Sequence, residues 1–170
     1  MLKDEAGIIT FPLKLLCYTI LLGLIFSFII QGIWNARIPV SETAVEREVS
    51  EILIAINSIQ QGSPRNLLYS DASEGSKRVV KLNLPSNTAY LSLGSDPEVD
   101  SKAGSQIVYK VQGGGKRFEY LNINLCAASS DVNGVLIPSQ NGLVLKSGSY
   151  TLTFEFVYDP ILNEKWILIY

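Results

Sequence analysis

The chain has 170 residues, with 14 Lys and Arg against 16 Asp and Glu, a net charge of −2, two cysteines and no histidine. This balance offers no basic field for nucleic acid and no acidic tail. The missing imidazole removes Ser-His and Cys-His pairs, histidine zinc sites and the commonest general base.

Residues 1–7, MLKDEAG, form a charged leader. Residues 15–34 are twenty residues without a charge, about 30 Å as a helix, which matches the hydrocarbon core of a bilayer. A cleaved secretory signal has a shorter apolar region followed by small residues. Here Trp34 stands where a small residue would be needed, so an uncleaved anchor fits better, with Trp34 at headgroup level and Arg37 just outside. Lys14-Leu15-Leu16 ahead of Cys17 does not suit lipidation. Lys3 and Lys14 give a small positive excess on the amino side, which orients the amino terminus to the cytoplasm and the rest of the chain outward. Gly23 and Ser27, small and four apart, are the helix-packing positions expected within this segment.

From Ser41 the pattern becomes that of an amphipathic helix. Val45, Val49, Ile52, Ile56 and Ile59 recur at spacings of four and three, the seam of a helix packed against its own domain or against a partner helix. Thr43 and Glu46 predict a capping box at its start, and Gly62-Ser63-Pro64 predicts its end. Pro39 predicts a kink or short break between the two helical stretches. Pro12 either begins the first of them or bends it. Together 8–62 read as one helical segment of roughly 80 Å.

Residues 63–170 read as strands. The runs Lys77–Leu84, 89–93, 106–111, 117–125, 142–145, 150–158 and 166–170 are short, rich in β-branched and aromatic residues, and separated by turn clusters such as Gly113-Gly114-Gly115 and Asp159-Pro160. Seven strands at this spacing predict a mainly β domain, a two-sheet antiparallel β-sandwich. Val80, Leu82, Val108, Leu152, Phe154 and Phe156 are its expected interior. Strand 150–158 should be central, with Thr151, Thr153 and Glu155 on the opposite face, and 166–170 should lie between neighbours.

Chemistry is sparse. Cys17 and Cys126 read as free, buried thiols. The triple glycine lacks a following Lys-Ser or Lys-Thr and is a hairpin rather than a phosphate loop. Asp96, Glu98 and Asp100 alternate as calcium ligands can. Ser129, Asp131 and Asn133, with Gly134, resemble the first half of a calcium loop, but Gln140 stands where the closing Glu belongs. The bland reading, turns rich in Asp and Asn, outweighs these. There is no Asn-x-Ser/Thr acceptor. Neither a metal, a cofactor, a small-molecule substrate nor an enzymatic activity is expected.

A few charged residues ending in Ala6-Gly7, an immediately apolar helix from Ile8, a one-sided helical continuation and a β-rich remainder resemble the type IV pilin-like proteins, particularly the archaeal kind. The resemblance implies removal of the leader after Ala6 or Gly7, packing of residues 8–33 in a filament core, and a β-domain on the filament surface. Asp4-Glu5 in place of a basic residue, with Pro12 and Lys14 early in the helix, departs from that family. An uncleaved chain would instead be similar to the small membrane-anchored β-sandwich proteins of the archaellum stator. The implied function is a structural subunit or minor component of a filament or its assembly machinery; the alternative is a single-pass membrane protein whose outer domain binds an envelope partner. Expected partners are membrane lipid, like subunits, or envelope and S-layer proteins, at the cell membrane with the β-domain outside.

Overall fold

The computed structural model describes residues 5–68, 75–100, 102–130 and 135–170, with side-chain surroundings from residue 12 onward except 34 and 35. Helix α1 spans Glu5–Gln60 with Pro12 and Pro39 inside it. The break expected at Pro39 is therefore not found. The fixed φ of proline is itself helical, and the loss is the single hydrogen bond that its missing N–H would have made. Thr43 and Glu46 lie in the helix interior, where backbone amides already bond the preceding turn, so the start signal they carry is not used. The helix stops where expected, with Gly62 N donating to Ile59 O at 3.1 Å.

Two compact units divide the chain, Met1–Pro39 and Val40–Tyr170. In the first, every residue from 12 to 33 is exposed. The most apolar 18-residue window of the helix has a mean hydropathy of 2.3 with none of it buried, which makes the helix long and apolar enough to cross a membrane. Cys17 lies here and is exposed rather than buried.

The second unit begins inside the segment expected as 8–62 and contains α1 from Val40 to Gln60 together with, among the described residues, nine strands. These are β1 Arg65–Asn66, β2 Lys77–Leu84, β3 Thr88–Leu93, β4 Gly104–Val111, β5 Lys116–Ser130, β6 Leu136–Pro138, β7 Leu143–Leu145, β8 Gly148–Asp159 and β9 Glu164–Ile169. They form one sheet in the order β1-β8-β9-β5-β4-β3-β7, with β2 added to β8 and β6 to β5, and the sheet curls into a half-barrel. Two pairings are parallel, β1 with β8 and β5 with β9; the rest are antiparallel.

The expected second sheet is not confirmed, because a helix lies where it would pack. Val45, Val49, Ile52, Ile56 and Ile59 join Val80, Leu82, Leu152, Phe154 and Phe156 in one buried cluster. Aliphatic side chains at helical spacing supply the apolar cover that one sheet face needs. Val108 is fully buried too, on the outer side of the sheet. Strand β9 is flanked by β8 and β5, and β8 by β9 on one side and β2 and β1 on the other, so both sit centrally as their patterns predict. Glu48 is buried at the helix–sheet seam, where its Oε2 accepts from Asn83 N at 3.2 Å and its Oε1 from Arg47 Nη2 at 3.0 Å.

Candidate functional site

The processing positions Ala6, Gly7 and Ile8 fall in the first turns of α1, whose assignment begins at Glu5; their side chains lie outside the described ones. Gly23 and Ser27 are exposed, and a Cβ added at Gly23 would meet no atom within 4 Å. This stretch carries Leu13, Leu15, Leu16, Tyr18, Ile20 and Leu21 in the open, each more than half exposed. So much uncovered aliphatic surface is tolerated only where lipid or another apolar surface covers it. The five positions of the heptad stripe behave in the opposite way. All are within 3% of full burial, inside their own domain and not offered to a partner.

The acidic alternation Asp96, Glu98 and Asp100 lies in the β3–β4 connection, which folds back over the outer sheet face. Asp96 is 8% exposed. Lys116 Nζ, on β5, donates to Asp96 Oδ1 and Oδ2 at 3.1 and 3.0 Å and lies 2.9 Å from Glu98 Oε2. Lys110 Nζ donates to Glu98 Oε1 at 3.0 Å. Asp96 O accepts from Val99 N and Asp100 N, while Asp100 Oδ1 accepts from Lys102 N. The loop leaves β3 through Gly94, where φ is +90° and a Cβ would run into the carbonyl of Leu125, so only glycine suits that position. Two carboxylates held by two ammonium groups make an ionic clamp. Among the described residues no three His, Cys, Asp or Glu side chains gather as metal ligands. Ser129 Oγ donates to Ile137 O at 3.5 Å; Asp131 and Asn133 lie outside the described residues.

Within the clamp, Glu98 and Lys116 hold each other in their charged forms. Hydrogen bonds from Lys116 and then Lys110 hold the Glu98 carboxyl down at about 2, and Glu98 followed by Asp96 push the Lys116 ammonium up. Neither group gives or takes a proton near neutral pH, which suits fastening better than acid–base chemistry. Because the folded pKa of Glu98 lies below its ordinary value of 4.5, its stabilising contribution is complete above that value and is lost as pH falls towards about 2. A carboxyl carbon resonance of Glu98 titrating near 2 is the expected result; a midpoint near 4.5 would show that the clamp does not form. Burial, with Glu98 adding to it, pushes the neighbouring Tyr90 phenol up to about 12.

Beside the clamp, Phe118 and Tyr120 stack at 6.3 Å with an interplanar angle of 7°, and Lys116 Nζ is 5.6 Å from the Phe118 centroid. Among the strand tyrosines, Tyr120 is open at 76% exposure, Tyr109 is buried, and Tyr158 donates to Asn163 Oδ1 at 2.9 Å.

Sequence reading missed two features of the outer face. One is the pair Arg65 and Glu155, with Arg65 Nε donating to Glu155 Oε1 at 2.8 Å. The other is a small second core of Cys126, Val157 and Leu168, with Leu67, Ala103, Leu136 and Trp166 packed on it; burial pushes the Cys126 thiol up to about 12. An apolar cleft of about 600 Å³ opens next to this second core, with Trp166 in its lining. The apolar pair Ile161-Leu162 inside a turn is a sequence signal that points to it. No protein-family model, curated protein or solved structure matches the chain.

Proposed function

We propose that the chain is a pilin-like structural subunit, or a minor component, of an archaeal-type filament or its assembly machinery, anchored by its N-terminal helix with the sheet domain outside the membrane. One observation carries this reading: helix α1 is apolar and uncovered over residues 12–33, yet the same helix contributes Val45 to Ile59 to the core of a β-domain. A simple membrane tether has no need to enter the domain core. A filament subunit uses both parts, an apolar helical segment for packing against its like and a folded domain for the surface. In this reading the apolar segment is covered by lipid before assembly and by like subunits afterwards, and the outer sheet face with Tyr120 is the surface for envelope contacts.

The test is the mature amino terminus, measured by intact mass on protein from membranes of cells with an active prepilin peptidase. A chain beginning at Gly7 or Ile8 is the expected result. A chain beginning at Met1 would reject the filament subunit in favour of an uncleaved single-pass anchor, the reading that Asp4-Glu5 and Lys14 favour.

A further inference from the structure

The cleft beside the second core is lined by Leu67, Leu68, Ile137, Ile161, Leu162 and Trp166, with Lys102 and Asp159 among its polar residues. Its volume, about 600 Å³, falls in the range of small-molecule sites. Leu68, Ile161 and Leu162 are 53%, 78% and 61% exposed, an aliphatic rim with no cover among the described residues.

The hydrogen-bonding groups of the lining decide what fits. Leu67 N donates to Tyr158 O, Ala103 N to Gln140 O and Ser139 N to Ala127 O. Leu68 N donates to Asn66 Oδ1 and Lys102 N to Asp100 Oδ1. Ile161 N and Leu162 N both donate to Asp159 Oδ1. With these amides engaged, an extended peptide finds no ladder to join. The Asp159 carboxylate is engaged by its own turn, whereas the Lys102 ammonium has no ion-pair partner among the described residues. What remains among the described residues is an apolar trough with one cation outside any ion pair.

We propose that this cleft binds an amphiphilic monocarboxylate, an aliphatic chain of medium length whose carboxylate is met by the Lys102 ammonium. The proposal does not depend on whether the chain polymerises.

The experiment uses the full chain in phosphatidylcholine nanodiscs, with Trp34→Phe so that Trp166 is the single indole reporter, and titrates decanoate against decanol. A saturable shift of Trp166 emission to shorter wavelength is expected with decanoate, and a weaker response with decanol. Lys102→Gln should weaken decanoate binding by about fivefold, the upper end for an exposed charge pair. Leu162→Asp, a change on an exposed turn that places a carboxylate at the rim, should abolish the response. Equal responses to acid and alcohol, an unchanged affinity in Lys102→Gln, or the same shift in Leu162→Asp would each overturn the proposal. So would a concentration-dependent shift without ligand, which would mean that a second copy of the chain fills the cleft.

Discussion

In protein carrying Ile52→Ala, the unfolding free energy of the sheet domain is expected to fall by about 2–5 kcal/mol, the usual cost of cutting a fully buried Ile back to its Cβ. Ile52 is 0% exposed and belongs to the same cluster as Leu82, Phe154 and Ile167. The loss combines transfer of the missing methylene and methyl groups with a cavity that helix and sheet cannot both close on. Neither can close on it freely, because Glu48, one turn earlier, holds the helix to Asn83 N of β2. The neighbouring Ile54 is 54% exposed, and Ile54→Ala should stay within about 0.5 kcal/mol of wild type. Denaturant unfolding followed by Trp166 fluorescence in a Trp34→Phe background measures both. If Ile52→Ala leaves the midpoint where Ile54→Ala does, the stripe is not core and is available to partner helices, and the argument that α1 belongs to the domain fails with it.

Much of this architecture was legible because it is written in local periodicity. Each of the seven runs expected as strands is a strand, and the spacing of Val45 to Ile59 located the helix face that the sheet covers. The misses arise where local pattern is too short to read or where the outcome depends on what lies opposite. Strands β1 and β6 have two and three residues, too few to show alternation, and Pro138 in β6 argues against a strand. The second sheet was expected from the number and spacing of the strands, although the helix stripe that covers the sheet face was already in view. Pro39 was read as a kink or a short break, and the break is absent because the φ of proline is compatible with the helix that flanks it. The acidic residues 96, 98 and 100 were recognised as a group, but the cation that decides their role, Lys116, lies on the next hairpin strand.

Glu155 is the sharpest case. Alternation on β8 put it on the face opposite Phe154 and Phe156, which is correct, and solvent was the natural environment to expect there. Instead it is 1% exposed, because β1 adds to the edge of β8 just beyond it and brings Arg65 across. Arg65 Nε and Nη2 reach the two carboxylate oxygens at 2.8 and 3.4 Å, and the same Nη2 donates to Leu136 O at 2.9 Å. Tyr170 Oη donates to Oε2 at 3.5 Å, and Lys77 Nζ lies 3.9 Å from Oε1. One guanidinium therefore fastens β1, β6 and β8 together. Arg65→Met keeps the aliphatic stem but leaves the buried carboxylate with only the more distant Lys77 ammonium and the Tyr170 hydroxyl, and it should cost about 3 kcal/mol, the lower end for breaking a buried pair. The double variant Arg65→Met, Glu155→Leu removes both charges and should recover most of that loss, since a buried pair is often worth no more than apolar side chains of similar volume. Unfolding free energies of wild type, the two single variants and the double variant complete the cycle. Additive losses, with the double variant as unstable as the sum of the singles, would mean that the two side chains act separately and that β1 is held by packing alone.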